Sequence, residues 1–151
     1  MEVQELMEGL CRKVGIPGEL FEDGTLPFEI DGREVAIHAI AEVNSAVLIG
    51  SLGEPGPGSR VELYRKMLLE EHLLEKTLGA SFSIDPQTGS FVLSRTLSCE
   101  GLTVDEFIAA AEQFITQLQH WAEVIRDYAP SPKDRTEDLN AAGVRRHARL
   151  R

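Results

Sequence analysis

Long apolar runs are missing from these 151 residues, and no stretch approaches the roughly 18 to 20 consecutive apolar residues that a membrane-spanning helix requires. Membrane insertion is therefore not expected. The opening residues Met1-Glu2-Val3-Gln4-Glu5 lack the basic character of a secretory signal, which places the chain, by expectation, in the cytoplasm. Cysteine is scarce. Cys11 and Cys99 share no metal-type spacing and make no disulfide framework of the kind found in small secreted domains, so both are read as reduced, structural residues.

Positive charge is scarce too, except at one end. Residues 1–130 hold 9 Lys+Arg against 22 Asp+Glu, a balance of −13, whereas residues 131–151 hold 6 against 3, a balance of +3. Binding to nucleic acid rests on Lys and Arg neutralising phosphates, so the acidic body excludes it as a partner. The same surface keeps a protein soluble while it exposes apolar patches, and it favours basic partners.

Signatures of chemistry are also missing. His38, His72, His120 and His147 lie on different segments, and none has a second His or Cys at the spacing of a metal pair. On its apolar segment His38 reads as a hydrogen-bonded structural histidine. Neither Ser94 nor Ser98 sits in a G-x-S-x-G elbow, and Gly50, Gly53, Gly56 and Gly58 match neither a dinucleotide fingerprint nor a phosphate loop. The carboxylate pairs Glu70-Glu71 and Asp105-Glu106 fall on exposed helix faces or in a first turn, where solvation and the helix dipole account for them. No catalytic residue, metal ligand or cofactor is assigned, and the chain is not read as an enzyme.

What is present is a well-patterned single domain, with 42% apolar and 26% charged residues. At this length one core buries about two-thirds of the unfolded chain's surface. Val3, Leu6, Met7, Leu10 and Val14 recur at helical spacing and predict a first amphipathic helix ending at Gly15. Phe28-Glu29-Ile30, the Asp31-Gly32 pair and Arg33 to Ile40 predict a β-hairpin, since Asp-Gly tolerates positive φ at both turn positions. Ala46 to Leu52 is almost continuously apolar, which predicts a third strand buried on both faces.

After the Pro55-Gly56-Pro57-Gly58 loop, Ser59 and Glu62 form a potential capping box for a second helix expected to run to about Leu78, with Gly79 as its cap. Its leucines occupy more than one face, so one face remains after packing on the sheet. Ala80, Phe82 and Ile84, then the turn Asp85-Pro86-Gln87-Thr88-Gly89, then Phe91, Leu93 and Leu97 predict a second hairpin. A capping box at Thr103 and Glu106 starts a third helix, whose stripe of Phe107, Ala111, Phe114, Leu118, Trp121, Ile125 and Tyr128 spans roughly 35–40 Å. The order is αβββαββα, an α+β domain over residues 1–129 with a mainly antiparallel twisted sheet and helices packed on it. Residues 130–151, ending Arg145-Arg146-His147-Ala148-Arg149-Leu150-Arg151, are expected to form a flexible basic tail.

The run Leu68-Leu69-Glu70-Glu71-His72-Leu73-Leu74, followed by Gly79-Ala80-Ser81-Phe82-Ser83-Ile84-Asp85-Pro86-Gln87-Thr88-Gly89 and Val92-Leu93-Ser94-Arg95, resembles the Tir-chaperone family, the class I chaperones of bacterial type III secretion. In that family a leucine-rich helix leads into a strand, a D-P-x-T-G-like turn and a strand with a V-L-S-like segment. The resemblance covers about residues 1–129. Glu71-His72 and the basic tail depart from it. It implies a homodimer built on helix two and the second hairpin, with Tyr64, Met67, Leu68 and Leu74 as candidate contacts. It further implies that the N-terminal part of an effector protein wraps the outside in extended form. Leu6, Leu10, Phe28, Ile30, Val35 and Ile37 are the candidate groove residues for that partner, and the secretion apparatus ATPase is a candidate further partner. A regulatory relative that couples secretion to transcription, and a small ligand-binding α+β domain, are the competing readings.

Overall fold

The computed structural model describes residues 1–15, 23–55 and 60–128. Ser59 and the whole of the expected basic tail lie outside them. The described elements are α1 (Val3–Val14), β1 (Thr25–Ile30), β2 (Arg33–Ile40), β3 (Ser45–Gly53), α2 (Val61–Glu71), β4 (Ser81–Ile84), β5 (Phe91–Ser98) and α3 (Val104–Arg126). The strands form one antiparallel sheet in the order β1-β2-β3-β5-β4, so β1 and β4 are its edges. This is the expected αβββαββα arrangement. Pro27 is tolerated in β1 because an edge strand leaves backbone donors without a ladder partner.

Local chemistry explains the boundaries. At the first hairpin Asp31 and Gly32 both take positive φ (51° and 76°), as a two-residue turn matched to strand twist requires. At the start of α3 the capping box forms: Glu106 N–H donates to Thr103 Oγ1 (3.2 Å) and Thr103 N–H to Glu106 Oε2 (2.8 Å). An unanticipated junction forms at Asn44, whose left-handed backbone (φ 45°) links β2 to β3. Its Oδ1 accepts from Val3 N–H (2.7 Å) and its carbonyl accepts from Cys99 N–H (2.9 Å), which ties the start of α1 to the end of β5.

The buried stripe of α3 lies along the inner face of the sheet, with the buried residues of α1 and α2 joining the same core. Two glycines permit this. At Gly50 a Cβ would stand 2.5 Å from Leu118 Cδ2, and at Gly9 one would stand 2.7 Å from Val104 Cγ2, so α3 seats into β3 and α1 at those points. The opposite face of the sheet carries no helix among the described residues. As a result β3 is not buried on both sides, contrary to its apolar composition: Ala46, Leu48, Gly50 and Leu52 are buried while Val47 is half-buried and Ile49 is exposed.

α3 also has a direction that matters later. It runs toward the sheet end that carries the Asp31-Gly32 turn, the end of β3 and the Asp85–Gly89 turn, and there Gln119 Nε2 donates to Asp31 Oδ2 (2.9 Å). Because the Leu118 side chain is almost fully buried and cannot swing away, Gly50→Ala should lower stability by about 1–3 kcal/mol through overpacking. Urea unfolding checks this. Combining Gly50→Ala with Leu118→Ala should cost less than the two single changes summed.

Candidate functional site

Two uncovered surfaces remain, one on α2 and one on the sheet. Helix α2 ends at Glu71 and does not reach Leu78. His72 leaves helical geometry (ψ 122°), and Leu73, Leu74 and Leu78 adopt positive φ of 59°, 58° and 53°. Such conformations cost roughly 1–2 kcal/mol each for a residue with a side chain, so they persist through outside constraints. One constraint is visible: Glu71 Oε1 accepts from Phe82 N–H (3.3 Å), which pins the helix end against β4. A second is connectivity, because a helix continuing to Leu78 would carry the chain away from the edge that β4 must fill. Gly79 still acts as a left-handed stop (φ 85°), with its N–H donating to Leu74 O (2.9 Å).

The early break leaves leucines in solvent. Of α2 only Leu63 and Met67 are buried. Val61, Tyr64, Leu68, Leu69, Leu73, Leu74, Leu78 and Ile84 are exposed, eight of the twelve exposed large hydrophobic residues among those described, with Leu68 at 67% and Leu73 at 73%. Tyr64 stands edge-on to Phe91 (centroids 5.8 Å, 75°). A groove between α2 and β4 is lined by Tyr64, Met67, Leu68, Phe82, Ile84 and Phe91. Among the candidate dimer contacts the structure thus brings together Tyr64 and Leu68 on its rim and Met67 within it, while Leu74 is exposed on the turn that follows.

The second surface is the outer face of the sheet. A groove there is lined by Pro27, Ala36, Ile49 and Val92, with Ser51, Thr88 and Ser90 beside them and the carboxylates of Glu29, Glu34 and Asp85 among its walls; no Lys or Arg lines it. Glu29 and Glu34 face each other across the β1–β2 ladder, an unfavourable like-charge pair. The candidate groove residues divide. Leu6, Leu10, Val35 and Ile37 are buried in the protomer's own core, because α1 and the inner sheet face pack on each other and on α3. Phe28 and Ile30 are half-exposed at the β1 edge. Sequence reasoning reached this groove only in part: Phe28 and Val35 are among the residues that line it, whereas Ala36, Ile49 and Val92, which alternate with buried neighbours, were not singled out, because the apolar composition of β3 obscures that period-two signal.

His38 Nδ1 lies 2.9 Å from Thr25 Oγ1. Among the described residues no group of three or more His, Cys, Asp or Glu is placed to hold a metal ion, and no helix is long and apolar enough to cross a membrane. Burial raises the pKa of both thiols above its ordinary value; at Cys11 a backbone hydrogen bond opposes the shift and Glu8 adds to it. Since the thiolate is the nucleophile, both cysteines should resist a thiol reagent at pH 8 in the folded protein and react at once when it is unfolded in urea. Rapid labelling of the folded chain would show that one of them is open to solvent.

The model of the Tir chaperone protein (CesT) family matches residues 5–122. No curated protein matches the chain in sequence. Its fold is similar to a chain of the ExsC-ExsE complex, at 19% identity and a TM-score of 0.71, covering 85% of this chain and all of that one. It is similar also to a chain of the HopA1-SchA chaperone-effector complex (18%, TM-score 0.65, covering 83% and 93%). A third likeness is to a chain from the Yersinia pestis type III secretion chaperone SycH in complex with a stable fragment of YscM2 (19%, TM-score 0.62, covering 82% and 98%). At these identities the solved structures speak to fold.

Proposed function

The chain belongs to the Tir chaperone protein (CesT) family, and from that membership we propose that it is a cytoplasmic homodimer that binds the N-terminal segment of a type III secretion effector and holds it in a secretion-competent, non-globular state. No chemistry of its own is needed for this task, and no catalytic constellation is assigned to it. Handing the client to the secretion apparatus ATPase belongs to the same reading. The family match over residues 5–122 is the observation that carries the proposal.

The two uncovered surfaces divide the work. The α2 face, with Tyr64, Leu68 and Leu74 exposed, takes a second copy of the chain, since a self-complementary apolar face is what a two-fold dimer buries. The client takes the outer sheet face and the β1 edge. There Phe28, Ile30, Ala36, Ile49 and Val92 offer apolar contact, the edge strand offers unpaired backbone groups to an extended peptide, and the acidic body attracts basic segments. Steering by exposed charge weakens as salt shortens the Debye length, whereas apolar burial does not, so affinity should reside in the apolar contacts and salt should mainly slow association.

Light scattering should report twice the protomer mass at micromolar concentration. Leu68→Asp should shift it to one protomer mass with the far-ultraviolet circular dichroism unchanged, because an unpaired carboxylate buried in an apolar interface costs several kcal/mol. A persistent dimer in that variant would move the interface elsewhere. Mass spectrometry of proteins that co-purify from the native host tests the client. One partner with a polar N-terminal segment should be recovered, and Ile49→Asp should lose it while remaining dimeric.

A further inference from the structure

The sequence separates charge sharply, and its one basic stretch has no assigned role. Residues 139–151 carry Arg145, Arg146, Arg149 and Arg151 and no Asp or Glu, with Val144 and Leu150 among them. The groove on the outer sheet face has the complementary make-up, an apolar floor walled by carboxylates without a Lys or Arg. From charge, composition and the exit point of the chain, we infer that residues 139–151 dock in cis on this groove and occupy it when no other partner is bound.

Geometry supports the connection. Helix α3 runs toward the sheet end bearing the Asp31-Gly32 and Asp85–Gly89 turns, and Gln119 is bonded to Asp31 beside the acidic wall. The groove occupies that same end, between Glu29, Glu34 and Asp85. The chain leaving α3 therefore has only to round the end of the sheet, where packed layers are about 10 Å apart. The residues from Tyr128 to Arg145 reach roughly 55 Å when extended, several times that distance. Tethering holds the segment at an effective concentration on the order of millimolar, so even weak contacts keep it bound.

Energetically the segment answers a specific conflict. Glu29 and Glu34 stand directly opposite each other across the ladder, and a guanidinium laid between them replaces repulsion by charge-assisted hydrogen bonds. Val144 and Leu150 supply apolar contact to Ala36, Ile49 and Val92. The consequence that a client must displace this segment rests on the reading of the outer face as the client's site; the docking does not.

The test uses the full chain alone. A nitroxide is attached through Ala148→Cys, Cys11 and Cys99 being buried, and paramagnetic broadening of backbone amides is measured by NMR. Amides of Ala36, Ile49 and Val92 should lose several-fold more intensity than those of Glu100 and Leu102, which lie beyond the far end of β5. The effect should vanish in 1 M salt and in the variant carrying Glu29→Lys and Glu34→Lys, both exposed positions whose replacement leaves the core intact. Absent or uniform broadening, or broadening that survives the charge reversal, would overturn the inference. So would broadening that appears in full when the spin label sits on one copy and the isotope on another, since the segment would then act in trans. None of these readouts involves a client, so failure here leaves the chaperone reading untouched, and failure to find a client leaves this inference standing.

Discussion

The structure depends on the seating of one helix. α3 lays its buried stripe along the inner face of a five-stranded sheet, with Leu118 entering the space that Gly50 leaves in β3 and Trp121 meeting Phe82 edge-on at 4.8 Å over the β4 side. That single contact surface decides which side of each strand is core. It fixes the position of α1 through the close approach of Gly9 to Val104, and it leaves the outer face without a covering layer. The two uncovered surfaces follow from this one-sided packing: the sheet face that α3 does not cover, and the α2 face left over after Leu63 and Met67 are buried.

Backbone strain is concentrated beside one of those surfaces. Three leucines in left-handed conformations follow α2 within the span His72–Gly79, in a segment whose side chains are mostly in solvent. A protein tolerates strained residues where the surrounding structure over-determines them. Here the Glu71 carboxylate bonded to Phe82 and the demands of chain return to β4 supply that constraint. The arrangement presents leucines outward that a continuous helix would have distributed around its axis, so the cost in conformation and the apolar patch have the same origin. Thr77 Oγ1 and Trp121 Nε1 are buried without a hydrogen-bond partner among the described residues.

Charge adds a second layer of organisation. Residues 1–130 carry a balance of −13 and residues 131–151 one of +3. The outer groove combines carboxylates at its walls with Ala36, Ile49 and Val92 on its floor. A surface of that composition suits an extended segment that alternates basic and apolar residues, whether it comes from another protein or from the chain's own residues 139–151.

By itself the sequence determined the element order, the Asp31-Gly32 hairpin turn, the capping box at Thr103 and Glu106 and the stripe of α3, because each rests on contacts within a few residues. It also carried the family resemblance, in the run from Leu68 through Arg95. The tertiary structure alone decided what those local signals leave open. Periodicity marks Leu6, Leu10, Val35 and Ile37 as apolar but does not say whether they face a groove or the core; the packing of α1 and α3 on the inner sheet buries them. The leucines to Leu78 favour a longer helix, yet the need to return the chain to the sheet edge ends α2 at Glu71. The composition of β3 suggests two covered faces, whereas Ile49 is exposed because all the described helices lie on the other side. Local propensity acts over a turn or a strand pair, while exposure is set by which distant elements meet, and that information resides in the fold.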